Sequence, residues 1–244
     1  MANLEDTLHN LNTYHTLAQV LSQLSQDDRD YQLILATGDI AHRPNLAVYQ
    51  HFYQWLTAYQ LPLHWLPGNH DDAKLMQQVK KIKAMPGVAK TDLLKSVLIA
   101  NWQLILLDST VPGQVAGQLN QQQLSILNKQ LAIHPQRFAL IALHHQPVTI
   151  GTPWLDTIGL INASELFQVI DCNPQVKGII WGHVHQGFDK QRQGVRLLAA
   201  PSTCFQFKPG SPTFALDDDC QPGYRWLELA TDGNIATGIC RVTQ

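Results

Sequence analysis

The sequence predicts one α/β domain, with helices covering at least one large sheet, from three observations. Apolar runs of strand length alternate with amphipathic, helix-length segments over about the first three quarters of the chain. The last quarter is rich in β-forming residues and turn dipeptides. The 244 residues are 45% hydrophobic, enough for one substantial core, and no repeat, low-complexity tract or linker divides them.

Taken in chain order, residues 31–36 (YQLILA) read as a buried strand and residues 46–59 as an amphipathic helix. Residues 63–66 form a short strand, and a helix comes next near 73–85. Two β-rich runs, 93–99 and 102–107, flank a turn at Ala100-Asn101. Asn120 caps a helix running to about residue 133. Residues 138–143 (FALIAL) form a buried strand, a helix spans about 163–170, and residues 176–181 (VKGIIW) form the next strand. Gln193-Gly194 and Asp232-Gly233 are hairpin turns.

Charged residues make up only 15% of the chain and the formal net charge is −2, which excludes a basic nucleic-acid footprint. Phosphate chemistry would therefore have to come from local groups or bound cations. The four cysteines (Cys172, Cys204, Cys220, Cys240) are dispersed, as expected for reduced thiols rather than a disulfide framework. The opening MANLEDTLHN is acidic and lacks the apolar core of a signal peptide. No apolar run approaches the roughly 18 residues of a membrane span. The expected setting is the cytoplasm.

Metal-ligating and acid–base side chains gather immediately after the buried strands. YQLILAT leads into Gly38-Asp39, and LHWLP into Gly68-Asn69-His70-Asp71. FALIAL leads into His144-His145, and VKGIIW into Gly182-His183-Val184-His185. In α/β sheets the loops at the carboxyl ends of strands converge on one crevice, so these donors pool. Strand alternation would send His183 and His185 the same way. Of the adjacent pair, His144 is expected to point into the site and His145 to sit behind it or at the surface. Asp71 or Asp72 could instead cap the next helix. Mixed Asp, Asn and His donors suit a borderline divalent ion. They are too many for one tetrahedral ion and suit two, about 3.5–4 Å apart, bridged by a carboxylate for which Asp39 is the natural candidate.

These residues, in this order, resemble the metallophosphoesterase superfamily. The segments ATGDIA, WLPGNHD, LLDS, LHHQP, WLD, GHVHQ and PSTCFQFKP are similar to the bacterial class III 3',5'-cyclic AMP phosphodiesterases, from about Leu8 to the C-terminus. The stretch 201–209, with Pro222-Gly223-Tyr224-Arg225, favours that subfamily. The resemblance implies a four-layer sandwich of two mixed sheets flanked by helices, forming a single calcineurin-like domain over residues 1–244. It implies two divalent metal ions, iron or manganese ahead of zinc or cobalt. Asp39 would bridge both, Asn69, His144 and His183 would complete one site, and His185 would belong to the other. His70 would act as general acid or orient the phosphate, with Asn69, His70 and His185 contacting a small cyclic-nucleotide substrate.

The family also carries Asp-x-His at the end of a first strand, supplying the other two ligands of the His185 metal. Here Asn12-Thr13-Tyr14 already matches sequence beyond that strand, and Asp6 and His9 stand in Asp-x-x-His with no apolar strand before them. The expectation is an N-terminally truncated version whose first strand is missing. The leading function is hydrolysis of cyclic AMP to 5'-AMP. The alternatives are a related metallophosphodiesterase acting on another diester, and a non-catalytic metal- or nucleotide-binding protein.

Overall fold

A computed structural model describes residues 7–82 and 96–243. A short hairpin, β1 (Thr7–Leu8) and β2 (Leu11–Asn12), precedes helix α1 (Thr13–Ser25). Strand β3 (Ile34–Ala36), α2 (Leu46–Thr57), β4 (Leu63–Trp65) and α3 (Ala73–Ile82) come after it. Next come β5 (Ser96–Ile99), β6 (Trp102–Leu106), α4 (Gln121–Ile133), β7 (Phe138–Leu143), α5 (Pro153–Asp156), α6 (Ala163–Asp171) and β8 (Val176–Trp181). The chain ends in two hairpins, β9 (Phe188–Arg192) with β10 (Val195–Ala199), and β11 (Gly223–Leu229) with β12 (Ile235–Arg241). Expected residues 83–85 of the helix and 93–95 of the strand lie outside the described residues.

The large sheet has the order β5-β6-β7-β8-β10-β9. Strands β6, β7, β8 and β10 run parallel, and β5 and β9 pair antiparallel at the edges. Strand alternation sorts its side chains cleanly. Ile105, Ile141, Ile179 and Leu197 face one core, against Leu124, Leu127 and Leu131 of α4 and Leu166 and Ile170 of α6. Leu104, Leu140, Ile180 and Leu198 face the opposite core, with Leu33 and Leu35 beside β3 and Leu227 and Leu229 of β11. Ile34 and Ala36 of β3 point the other way, into a third core with α1, α2 and α3. Helices, large sheet, small ladders and helices thus stack in four layers, each apolar face buried against the next.

The second sheet layer consists of two separate ladders, β3-β4 parallel and β11-β12 antiparallel. Pro62 and Pro67 bracket β4, which holds the β3 ladder to three pairs. This is why β3 is shorter than the apolar run 31–36. Among the described residues no strand lies between β3 and β11. Residues 32–37 and 223–229 line the same cavity, of about 1080 Å³, which extends to the strand ends carrying Asp39, His183 and His185.

Both hairpin turns form where the dipeptides place them. Gln193 and Gly194 both take positive φ (48° and 83°), the left-handed pair a two-residue turn demands, and Gly233 takes 90°. Asn120 caps α4 by accepting from the Gln123 N–H at 3.0 Å. Helix α1 is an element that the pattern of apolar runs does not reveal. Asn12 caps it, and it buries Leu17, Val20 and Leu21.

Candidate metal centre

The parallel register of β7 and β8 sets Leu143 opposite Trp181, so the residues after each strand emerge side by side. In the same way Ala36 pairs with Trp65, and the loops after β3 and β4 meet. They meet so closely that only glycine fits. A Cβ on Gly68 would stand 2.1 Å from Asp39 Oδ1, and one on Gly38 would stand 2.5 Å from His144 Nδ1.

Three non-glycine residues here occupy the left-handed region: Asp39 (φ 56°), His183 (61°) and His185 (47°). Such backbone costs on the order of 1–3 kcal/mol each and gathers at functional sites. At His183 the strain closes a tight turn, with the Val184 N–H donating to the Gly182 carbonyl at 2.6 Å. The two histidines are therefore aimed by a turn and not by continued strand alternation.

Asp39 Oδ1 accepts the His70 backbone N–H at 3.0 Å, and its Oδ2 lies 3.3 Å from His144 Nε2. Burial opposes the Asp39 charge, but the adjacent His144 and His70 outweigh it and hold the carboxyl well below the usual range. His144 and His183 are buried, and His183 Nδ1 lies 3.2 Å from His144 Nε2. His185 stacks on Phe207, ring centroids 4.4 Å apart and planes 9° apart. Burial lowers the His185 pKa to about 4 and that of His183 well below its ordinary value, so both are neutral and able to ligate. Three buried atoms here have no hydrogen-bond partner: Asn69 Oδ1, His183 Nε2 and His185 Nδ1. A buried acceptor left unmatched is costly, and metal ligation is one way to match such an atom. Asn69, His183 and His185 fit metal ligation on this observation, and Asp39 and His144 bring a carboxylate and an imidazole to the same strand ends.

His144, His145 and His183 bring a ring nitrogen each within 4.8 Å of one another, yet His145 is already committed. Its Nε2 donates to the Val115 carbonyl at 3.0 Å, and its Nδ1 accepts from Ser109 Oγ at 2.8 Å. His145 is fully buried, which corrects the surface alternative. His70 is exposed, its ring 5.2 Å from that of His42. Asp72, not Asp71, caps α3, accepting from the Lys74 and Leu75 N–H groups. Asp71 instead accepts from the Ile40, Ala41 and Gly68 N–H groups and the Tyr49 hydroxyl, tying the β3 and β4 loops together. Of the outlying Asp-x-x-His, Asp6 lies outside the described residues, and His9 packs against Phe205 and Phe214.

Ser109, Asp71 and Thr37 are supports that the motifs alone do not reveal. Ser109 carries the same signal as the others, a polar residue just past a buried strand. Asp71 is legible in the sequence as a strand-end carboxylate or a capping residue, not as a clasp between two loops.

The family model for the calcineurin-like phosphoesterases matches residues 8–187. The chain belongs to that family. This metallophosphoesterase is 43% identical over 233 residues to the 3',5'-cyclic adenosine monophosphate phosphodiesterase CpdA of Pseudomonas aeruginosa, covering 95% of this chain and 82% of that one. It is 40% identical over 242 residues to CpdA of Escherichia coli K12, covering 99% and 86%. Among solved structures it is similar to a dimetal phosphatase from Danio rerio, with a TM-score of 0.62 over 95% of this chain and 90% of that one at 15% identity. At that identity the likeness concerns the fold alone. No helix among the described residues of this metallophosphoesterase is long and apolar enough to cross a membrane.

Proposed function

We propose that this metallophosphoesterase, acting as a single domain, hydrolyses 3',5'-cyclic AMP to 5'-AMP at a centre of two divalent metal ions, iron or manganese ahead of zinc or cobalt. The observation that carries the reading is the set of unmatched buried atoms Asn69 Oδ1, His183 Nε2 and His185 Nδ1, on residues that line the same cavity as Asp39. The identity to relatives named as cyclic AMP phosphodiesterases supports the substrate. Four free, dispersed cysteines suit a reducing compartment, the cytoplasm.

In this reading Asp39 would be shared between the two ions, Asn69, His144 and His183 would hold one of them, and His185 would help hold the other. When bound, the ions supply Lewis acidity to the phosphate oxygens and lower the pKa of water. The chain's own residues orient and move protons. Thr37 and Asp39 fix the two ends of the His144 ring. The His70 N–H fixes Asp39, which sets the bridging carboxylate relative to the His70 side chain. His70, exposed on the cavity wall, would donate a proton to the departing 3' oxygen as the P–O3' bond breaks, while a water oxygen bonds to phosphorus and gives up its proton to solvent. Asn69, His70 and His185 contact the phosphate.

The test is hydrolysis of cyclic AMP by the purified chain supplied with manganese, with product identified by chromatography. 5'-AMP as sole product supports the reading. Cleavage of other diesters with no action on cyclic AMP would favour the alternative substrate, and no turnover despite metal binding the non-catalytic alternative.

A further inference from the structure

The stretch 201–209 carries none of the Asp, Asn or His donors, yet it lies directly against the centre. Its Phe207 stacks on His185, and Phe205 lies 5.0 Å from the same imidazole. Trp154 of α5 meets Phe207 edge-on at 4.9 Å, and Phe214 packs on both Trp154 and Phe207 at 5.5 Å. Trp154, Phe205 and Phe214 all line the cavity that contains Asp39, Asn69 and His70. Phe214 is 50% exposed beside a polar centre, although the His9 ring packs on it at 5.4 Å.

This wall is built rigidly. Buried Thr152 and Gln186 hydrogen-bond each other, and Thr152 Oγ1 also accepts the Gly210 N–H at 3.1 Å. Asp156 closes the α5 turn by accepting the Ile150 and Gly151 N–H groups. Buried Gln206 clamps Ser202 through both ends of its amide. Phe207 bridges Leu216 in antiparallel fashion, and the Lys208 N–H donates to Ala215. Three loops thus hold one aromatic surface in place, which spares a ligand the cost of ordering it.

We infer that Trp154, Phe205 and Phe214 form the platform on which the substrate's nucleobase stacks. This rests on the phosphodiester reading of the adjacent centre. A ligand anchored there by its phosphate must place its next group, one sugar ring away, against the neighbouring wall. A flat, polarisable base is the chemical class that rings at edge-on and tilted angles receive.

The test uses the full chain with manganese and compares equilibrium binding of 5'-AMP with that of ribose 5-phosphate, which lacks the base. Base stacking on an aromatic side chain predicts a preference of about 10- to 100-fold for 5'-AMP. In Phe214→Ala and Trp154→Ala that preference shrinks to a few-fold while ribose 5-phosphate binding and metal content stay unchanged. Phe214→Trp restores it. Equal binding of the two ligands by the unmodified chain, or a preference that survives both variants, overturns the inference. If the variants instead change only the oligomeric state, the surface belongs to self-association and the inference is wrong. These outcomes do not depend on turnover, so failure to hydrolyse cyclic AMP would sink the proposed function without deciding this point.

Discussion

The Nδ1–H of His144 donates to the backbone carbonyl of Thr37 at 2.7 Å. A carbonyl can only accept, so a proton sits on Nδ1, and Nε2 is the atom that faces Asp39 and His183. The adjacent His145 holds the opposite tautomer, with Nε2 donating to Val115 and Nδ1 accepting from Ser109. Two neighbouring imidazoles thus differ in role because different oxygens hold their protons. One turns its Nε2 toward Asp39 and His183; the other has both nitrogens spent on structure.

His145 and Ser109 are accordingly positioning residues. Ser109 Oγ also lies 3.3 Å from the backbone nitrogens of both His144 and His145, which fixes the turn that aims His144. Ser109→Ala should weaken manganese affinity by about 10- to 100-fold, the usual effect of removing an outer support, with the fold retained. Metal titration checks it, and unchanged affinity would show that the turn holds itself.

His70 should behave differently from the metal donors. His70→Ala is expected to reduce kcat by about 10²- to 10⁴-fold while metal content stays near that of the unmodified chain. Metal loss equal to that in Asn69→Ala would make His70 a ligand.

Asp71 joins the two loops that carry Asp39 and Asn69. Its removal leaves the Gly68, Ile40 and Ala41 N–H groups and the Tyr49 hydroxyl without their acceptor. Each unsatisfied buried donor costs about 1–3 kcal/mol, so Asp71→Ala should lose several kcal/mol in urea unfolding. A loss below about 1 kcal/mol would mean that water replaces the carboxylate without penalty.

Much of this is legible in the chain. The donors stand just after buried strands, and the parallel sheet brings those ends together, so Asp39, Asn69, His144, His183 and His185 line up as candidates from order alone. What escapes is whatever depends on backbone acceptors. Nothing in HHQP says which histidine meets the Thr37 carbonyl and which the Val115 carbonyl. The Asp71 clasp escapes because a carboxylate before a helix reads as a cap. Helix α1 forms no apolar run, but it is legible by period, since Leu17, Val20, Leu21 and Leu24 stand at i, i+3, i+4 and i+7, one face of a helix.

The metal-free protein should lose stability as pH falls. Burial depresses the pKa of His145 to about 3 and of His185 to about 4, and lowers that of His183 as well. The unfolded chain binds protons at these three below about pH 6.5 while the folded chain does not, so stability is lost between about 6.5 and 4. His144 and Asp71 work in the opposite direction, His144 because, against burial, Asp39 raises its pKa and Asp71 because burial raises its own. They are two groups against four once His42, its pKa lowered by burial, is counted. Thermal unfolding after chelation should therefore give a lower Tm at pH 5 than at pH 7.5, and added manganese at pH 7.5 should raise it. An equal or higher Tm at pH 5 would mean that the cluster is protonated in the folded state.

The most direct test of the metal centre compares the unmodified chain with Asp39→Ala and Asp39→Asn, measuring bound metal and cyclic AMP hydrolysis on the same samples. A carboxylate shared by two ions predicts that both substitutions deplete metal from both sites and abolish turnover, while circular dichroism shows the fold intact. Full metal content with near-normal hydrolysis in either variant would contradict a two-metal centre bridged by Asp39.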